Sequence, residues 1–358
     1  MKYEILPFNE KSLSDAKLIC GEMYSQKVFS LLDKVLANPE RRRSRVDAAG
    51  EIAYECGTPV AFQAAVMRKL YLDSSEFYGV VGSTLCSKPD TSPVLLMQLM
   101  RTTIRPRGGG LLFFANTAIP KSSKMNRMLG VKGVASESCG YVRFDVFRFG
   151  SFCRFVLKGR MPGFVAEIVD FAWKLVSMFR RHCRKTKLRC EKVVEINASF
   201  DVFWKAYIKE NKGVVSSRSS EELQWMYQAR IEDGKVLMLS LCDRDVIMGY
   251  IVAKPMDESR KRWQIIDWIA IGNDNLILND LLSCMKGYLS KNEPAVWIES
   301  IGFPDFIQPL LMKHLPFKRK LKESVFVYQA FDEKINIALS SLTEYNWFWG
   351  AYDGDRCF

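Results

Sequence analysis

A block of strand, turn, helix, strand and helix occurs twice in this sequence. The first copy has these five segments, in order, at residues 76–86, 87–92, 93–104, 111–116 and 122–129. The second copy has them at residues 263–271, 272–275, 276–289, 295–299 and 303–315. Two strands joined by a helical crossover are expected to lie parallel in one sheet. The sequence therefore predicts an α/β (α+β) protein of two tandem modules, each a mixed twisted sheet flanked by helices.

The chain outside the two blocks sets the expected domain boundaries. Residues 142–156 are rich in β-forming residues and are expected to close the first module, while residues 326–330 form a last strand of the second. We therefore expect an N-terminal domain at 1–158 and a linking amphipathic helix and basic segment at 159–190. A C-terminal domain at 191–358 ends in an aromatic tail. A chain of 358 residues is long enough for two domains of ordinary size.

The linking helix, expected at residues 161–181, is apolar over most of its surface. Its polar residues follow one another at steps of three and four and form one narrow stripe, namely Glu167, Asp170, Lys174, Ser177 and Arg181. The apolar surface of such a helix must be buried against something else. One interpretation packs it against the two modules, and the other lays it on a membrane, with the basic run that starts at Arg180 facing anionic headgroups.

The formal charge of +12 favours anionic partners of several kinds. The clearest basic clusters are 41–45 and 180–189. A solvated basic face is the default interpretation, and peripheral contact of 180–189 with an anionic membrane or with RNA is the alternative. Neither cluster is interleaved with aromatic residues, and the sequence has no zinc-finger or RNP motif.

The cysteines and histidines exclude several classes of site. None of the ten cysteines forms a Cys-x-x-Cys pair, and the two histidines, His182 and His314, are far apart in sequence. We therefore expect no metal site and no Ser/His/Asp triad. No run approaches about 20 apolar residues, and the first residues lack an apolar signal region. A cytoplasmic location is expected, with peripheral contact to the inner membrane as an open alternative.

The order of predicted elements resembles the GNAT superfamily of acyl-CoA-dependent N-acyltransferases, here in two tandem copies. Residues 216–218 through 225–227 resemble the Arg-Asp…Leu-x-Trp-Arg-Tyr segment of a bacterial two-domain GNAT group, and Trp347 with 353–355 resembles its Asp-Gly-Asp ending. Asn116, before a short helix and 128–130, is similar to the stretch that follows the fifth strand in the family.

The resemblance implies that the fourth and fifth strands of a module splay apart and admit the pantetheine arm of acyl-CoA. The pyrophosphate then lies at the N-terminus of the next helix, where unpaired N–H groups and the helix dipole favour an anion. In module one the implied acyl-CoA site comprises Ser83, Thr84, Leu85, Lys88, Thr91, Ser92 and Asn116. In module two it lies at 272–276. Neither turn has the family's glycine-rich phosphate loop, and each carries an acidic residue, Asp90 or Asp274.

The candidate catalytic residues are two carboxylates on strands of the second module. Asp267 is a lone carboxylate in an apolar strand, where burial would raise its pKa towards neutrality and suit it as a base. Glu299, on the neighbouring strand, is the second candidate. The alternative for each is a structural carboxylate paired with Arg or Lys.

Three further residues are candidates for an acceptor site between the modules. Arg218 could hold a carboxylate or phosphate, Trp225 could stack on a sugar ring or an apolar face, and Tyr227 could line the same pocket. Alternatively, Trp225 packs its helix onto the sheet and Arg218 is an exposed neighbour of a helix cap.

The function expected from the resemblance is transfer of an acyl group, acetyl first, from acyl-CoA to a primary amine of an amino sugar or small metabolite. An amino sugar of a surface-polysaccharide pathway is the natural guess for a bacterial protein of this kind. Two alternatives stay open. The charge favours a Fem-like transferase that uses aminoacyl-tRNA, and the missing phosphate loops favour a degenerate pair that acts as a non-catalytic binding or scaffold protein.

Overall fold

The computed structural model describes residues 3–23, 27–44, 48–106, 109–115, 120–134, 140–180, 188–321, 326–340, 347, 348, 350 and 352. The chain forms two compact units. Unit 1 contains Met1–Gly140, Asn211–Met226 and Lys322–Phe358, and unit 2 contains Tyr141–Glu210 and Tyr227–Leu321. The chain thus passes from one unit to the other four times.

Unit 1 is built on an eight-stranded mixed sheet. Its strands are β1 (Tyr3–Pro7), β2 (Gly50–Glu55), β3 (Thr58–Leu72), β4 (Ser75–Ser87), β5 (Gly110–Ala115), β6 (Lys132–Gly133), β9 (Val214–Ser216) and β15 (Val327–Ala330). They run in the order β1-β2-β3-β4-β5-β15-β6, and β9 pairs with β3. The described helices are α1 (Leu13–Met23), α2 (Lys27–Leu36), α3 (Pro39–Arg43), α4 (Pro93–Ile104), α5 (Pro120–Met128), α9 (Ser220–Leu223) and α13 (Glu333–Ser340).

Two tight hairpins and a helical crossover form the centre of this sheet. Asp73 and Ser74 both adopt positive φ between β3 and β4, which is the geometry of a two-residue hairpin turn. Helix α4 then carries the chain to β5, which pairs parallel with β4 as predicted. Leu95, Leu96 and Leu99 of α4 are buried in a cluster that includes residues of β2 and β3.

Unit 2 repeats this plan with seven strands. They are β7 (Tyr141–Val146), β8 (Arg189–Lys192), β10 (Leu237–Asp243), β11 (Val246–Pro255), β12 (Arg262–Ala270), β13 (Trp297–Ile301) and β14 (Phe317–Lys320), in the order β14-β7-β13-β12-β11-β10-β8. Its described helices are α6 (Phe149–Val156), α7 (Gly163–Arg180), α8 (Ser199–Glu210), α10 (Ala229–Glu232), α11 (Asn275–Asn292) and α12 (Gln308–His314). β12 and β13, joined by α11, are parallel as predicted. The α/β fold class with two mixed sheets is therefore confirmed.

The units do not coincide with the domain boundaries expected at residues 158 and 190. The segment 142–156 was expected to close the first module, but β7 pairs with β13 and β14 in unit 2, and residues 149–156 form helix α6. Conversely, β15 pairs with β5 in unit 1. The physical reason is that each strand buries its apolar side chains in a sheet formed by distant residues, as Val142, Val146 and Val327 show.

Helix α7 corresponds to the amphipathic helix predicted at 161–181, but its apolar surface is not covered as the first interpretation expected. Phe164, Ile168 and Phe171 are 67%, 65% and 66% exposed. The polar side chain of Asp170 faces inward instead and accepts a hydrogen bond from Ser151 Oγ at 2.5 Å. In the part of the chain that the structure describes, no helix is both long and apolar enough to cross a membrane.

Candidate functional site

The β4–β5 gap of unit 1 is the first place where the fold leaves strand edges open. Within the described residues, the ladder between β4 and β5 ends at the pair Val81 and Phe114. Residues 82–87 of β4 continue to pair with β3 on their other side. This part of β4, which contains the predicted residues Ser83, Thr84 and Leu85, has no ladder partner on the β5 side among the described residues.

A bulge bends β4 at the start of this gap. The register with β3 shifts between Phe62 and Ala64, so that Gln63 faces an extra residue on β4. Thr84 takes up the distortion with a φ of 46°, a left-handed conformation that is uncommon for a residue other than glycine. Bulges re-aim backbone groups and are frequent next to functional sites. The hydroxyls of Ser83 and Thr84 lie 3.1 Å apart at this bend.

Gly82 and Gln63 line the same stretch. A Cβ atom on Gly82 would lie 2.7 Å from Cζ of Phe113, so only glycine lets that ring pack across β4. The amide of Gln63 is directed to the same point, because its Nε2 would lie 3.5 Å from that Cβ. Gln63 is buried, and its Oε1 accepts no hydrogen bond from any described residue. A buried acceptor without a donor is costly, so this oxygen is suited to an N–H group of a ligand.

The N-terminus of α4 follows β4 and is open to an anion. Ser92 occupies the N-cap position, but its side chain caps no backbone N–H in the described structure. Thr91 is turned away, with its Oγ1 donating to the carbonyl of Val60 at 3.1 Å. Lys88 lies in the preceding turn, 3.6 Å from a carboxylate oxygen of the half-exposed Glu22, which is a weak surface pair. The first-turn N–H groups of such a helix attract negative charge.

The corresponding helix of unit 2 has its N-terminus occupied by its own carboxylate. Asp274 Oδ1 accepts hydrogen bonds from the backbone N–H groups of Leu276 at 2.6 Å and Ile277 at 3.4 Å. A second carboxylate, that of Glu210, lies where a Cβ on Gly272 would approach within 3.0 Å. Two carboxylates at this point disfavour a bound phosphate. The acyl-CoA site implied at 272–276 therefore lacks the anion-binding character that α4 retains.

The two predicted catalytic carboxylates have internal partners in unit 2. Asp267 is fully buried and accepts a hydrogen bond from the hydroxyl of Tyr250 at 2.7 Å and one from the backbone N–H of Trp268 at 3.0 Å. Glu299 forms a two-pronged ion pair with Arg262, at 2.7 and 3.1 Å. The contacts of Glu299 match the alternative of a carboxylate paired with Arg, whereas the partners of Asp267 are a tyrosine hydroxyl and a backbone N–H. The catalytic role of both residues stays a prediction.

Each of the three predicted acceptor residues is described by its own contacts or burial, and a shared acceptor site stays a prediction. Arg218 is fully buried in unit 1, donates to the carbonyl of Ser216 and stacks 4.3 Å from the ring centre of Tyr352. Trp225 donates from Nε1 to the carbonyl of Lys34 at 3.0 Å, as expected if it packs its helix. Tyr227 is buried within the chain segment assigned to unit 2. Arg218 is therefore no exposed cap neighbour.

The residues at the β4–β5 gap are not all the ones that were predicted from the sequence. Asn116, predicted to bind the donor, lies outside the described residues. Gln63 and Gly82 were missed, although Gln63 is the one polar residue in the apolar run 59–67 and could have been singled out on that basis. Among the described side chains, no three His, Cys, Asp or Glu residues come together as metal ligands.

Several solved structures align with most of this chain. A GCN5-related N-acetyltransferase from Kribbella flavida aligns with a TM-score of 0.58 at 12% identity, covering 94% of this chain and 73% of that chain. The corresponding enzyme from Anabaena variabilis aligns with a TM-score of 0.58 at 10% identity, covering 92% and 73%. The chain has a two-module GNAT fold. At such low identity this likeness concerns the GNAT fold alone.

The structure of a second kind of transferase is also similar. The Saccharomyces cerevisiae N-myristoyltransferase with bound myristoyl-CoA aligns with a TM-score of 0.54 at 11% identity, covering 92% of this chain and 79% of that chain. No protein-family model matches the sequence, and a search of curated proteins finds no match. The function must therefore be argued from the site.

Proposed function

We propose that this protein transfers an acyl group from acyl-CoA to a primary amine and binds the donor in unit 1. The observation that carries the proposal is the contrast between two helix N-termini. The N-terminus of α4 has no side-chain cap within the described structure, whereas Asp274 caps that of α11. In the described residues, the N-terminus of α4 thus combines the lack of a side-chain cap with a bulged strand beside the β4–β5 gap.

The residues of unit 1 fit the parts of acyl-CoA. The stretch of β4 from Gly82 to Ser87, which has no described ladder partner on the β5 side, lies where the pantetheine arm would run, and Gln63 Oε1 offers one acceptor to an N–H group. The first-turn N–H groups of α4, with the ammonium of Lys88 close by in sequence, suit the pyrophosphate. Pro93 at the first helical position removes one N–H donor and Asp90 adds one negative charge, so we expect moderate affinity.

The chemistry asks little of the protein once donor and acceptor are held together. Acyl-CoA supplies a thioester whose carbonyl carbon is attacked by the amine, and the backbone N–H groups near the bulge at Thr84 can polarise that carbonyl. The amine loses a proton and the CoA thiolate takes one up. No covalent intermediate with the protein is needed. Asp267 and Glu299 lie in unit 2, so they are candidates for the base only if unit 2 also takes part in the reaction.

The acceptor and the cellular location of the protein are also part of the proposed function. A primary amine of an amino sugar or a small metabolite is the proposed acceptor, because amines are the acceptors of the N-acetyltransferases that share this fold. The proposed location is the cytoplasm, which supplies acyl-CoA. Acetyl-CoA is the first donor to test, and the likeness to the N-myristoyltransferase adds longer chains to the set.

A titration with acyl-CoAs tests this proposal directly. Acetyl-, octanoyl- and myristoyl-CoA are added separately to the full chain, with ADP as the control, and the unfolding temperature is recorded. A ligand at about 100 times its dissociation constant should stabilise the folded protein by roughly 2.7 kcal/mol. A saturable increase with an acyl-CoA, and little with ADP, is expected. No increase with any of them would contradict donor binding and favour a non-catalytic pair.

A further inference from the structure

Unit 2 carries an exposed apolar surface that the proposed reaction does not use. The α6–α7 apolar face is formed by Phe155, Val156, Phe164, Ile168, Phe171 and Leu175, all of which are exposed. The four α7 residues follow one another at steps of four, three and four, which places them along one side of the helix. A row of exposed large apolar side chains along one side of a helix, as on α7, is a candidate interaction site.

The hairpin of α6 and α7 is held so that this face points outward. Gly150 lets the helices touch, because a Cβ there would lie 2.0 Å from the carbonyl oxygen of Ala166. Asp170 accepts hydrogen bonds from both the backbone N–H and the hydroxyl of Ser151. Trp173 donates to the carbonyl of Val146 at 2.9 Å. The polar anchors of α7 thus face the unit, and its large apolar side chains face away from it.

Basic side chains accompany the apolar face. Among the exposed residues of 154–176 that are charged, Arg154, Lys158, Arg160 and Lys174 are basic and only Glu167 is acidic. The guanidinium of Arg154 reaches the start of α7, since its Nη1 would lie 3.2 Å from a Cβ on Gly163. The basic residues Lys158 and Arg160 lie in the connection between the two helices. Apolar residues flanked by positive charge are the pattern of helices that lie in a membrane interface.

We propose that the α6–α7 apolar face docks on an anionic lipid surface. Phe164, Ile168 and Phe171 enter the boundary between headgroups and acyl chains, while Arg154, Lys158 and Arg160 contact lipid phosphates. A second copy of this chain would leave Arg154, Lys158 and Arg160 without an anionic partner, whereas an anionic lipid surface supplies one. The sequence run 180–189 adds six basic residues next to α7, but residues 181–187 lie outside the described structure and the docking surface does not include them.

Vesicle co-sedimentation of the full chain tests the docking. Vesicles of phosphatidylcholine alone are compared with vesicles that contain equal parts of phosphatidylcholine and phosphatidylglycerol. Binding is expected to the anionic vesicles and to weaken as salt is raised. Replacing each of Arg154, Lys158 and Arg160 by Gln should weaken binding about fivefold per residue. Absence of binding to anionic vesicles at low salt, or equal binding to both compositions, would overturn the proposal.

Two variants test whether vesicle binding depends on the α6–α7 apolar face in particular or on any exposed apolar side chain. Ile168→Gln with Phe171→Gln should reduce vesicle binding at least tenfold, because two large side chains no longer enter the bilayer. Val202→Gln removes an apolar side chain that is 63% exposed on α8 and should leave binding unchanged. Equal loss in both variants would overturn the proposal. So would a dimer, seen by sedimentation velocity, that the double variant abolishes. Circular dichroism confirms that the variants fold.

Discussion

The carboxylate of Asp274 accepts a hydrogen bond from the backbone N–H of Leu276 at 2.6 Å, at the first turn of α11. The same turn of α4 has Ser92 at the N-cap, with no side-chain cap in the described structure. Two helices in corresponding positions of two similar units therefore present opposite surfaces to an anion. This difference is the basis for assigning donor binding to unit 1.

The buried ion pair of Arg68 and Glu222 in unit 1 should be costly to break by removing one partner. The two charges are 2.8 Å apart and each side chain is 1% exposed. Burial raises the pKa of Glu222 to about 7 although Arg68 opposes the rise. Glu222→Ala leaves a buried guanidinium and should lower the free energy of unfolding by roughly 3–5 kcal/mol. Urea unfolding measures this loss. The double variant Arg68→Met, Glu222→Leu should recover much of it, and failure to recover would contradict an unpaired charge as the cause.

Gly82 should be required by the packing of Phe113 in the β4–β5 gap. Gly82→Ala brings a methyl group to 2.7 Å from the ring, so the ring or the strand must move, at a cost of roughly 1–3 kcal/mol. Acyl-CoA binding should weaken as well. Gly133→Ala, where a Cβ meets no atom within 4 Å, is the control. Adding Phe113→Leu to Gly82→Ala should restore stability, and a double variant as unstable as the single one would refute the steric explanation.

Asp267 should act as a structural carboxylate if the donor binds in unit 1 alone. Asp267→Asn and Tyr250→Phe both disturb the 2.7 Å hydrogen bond and should lower the unfolding temperature, since a buried polar group loses its partner. The dissociation constant for acyl-CoA, measured by calorimetry, should not change in either variant. If Asp267→Asn abolished turnover with stability and donor binding intact, Asp267 would be confirmed as catalytic.

His314 should make unit 2 less stable in acid. Burial, reinforced by the positive charges of Lys286 and Lys313, lowers the pKa of His314 to about 4, although Asp280 opposes the effect. In the unfolded chain the pKa is about 6.5. Between these values the unfolded chain binds a proton that the folded protein does not, so stability falls as pH decreases from about 6.5 to 4. The unfolding temperature of His314→Asn should depend less on pH in this range, and an unchanged dependence would exclude His314 as its source.

Much of the fold could be predicted because its signals are local. Pro93 and the apolar spacing of 94–104 mark helix α4, and the apolar runs around it mark β4 and β5. The pairing of β7 with β13 could not be predicted. The alternating apolar residues of β7, such as Val142 and Val146, fit any sheet edge with a matching apolar face. No residue near them in sequence indicates which strand they pair with.

The site was predictable only in part for a similar reason. The resemblance located β4 and the start of α4, but the bulge at Thr84 depends on how β3 and β4 pair and leaves no local signal. The apolar composition of α7 was evident from the sequence. The exposed face is set by the hydrogen bonds of Asp170 and Trp173. Asp170 accepts from Ser151 of α6, and Trp173 donates to the carbonyl of Val146 in β7.

An exchange of the two cap residues tests the assignment of the donor site most directly. Ser92→Asp places at α4 the carboxylate that α11 already has, and Asp274→Ser removes it there. Isothermal titration with the acyl-CoA that stabilises the protein best should show at least about tenfold weaker binding to Ser92→Asp, because a negative charge meets the pyrophosphate. Binding to Asp274→Ser should equal that of the unmodified protein. Unchanged binding to Ser92→Asp, or loss of binding in Asp274→Ser alone, would contradict a donor site in unit 1.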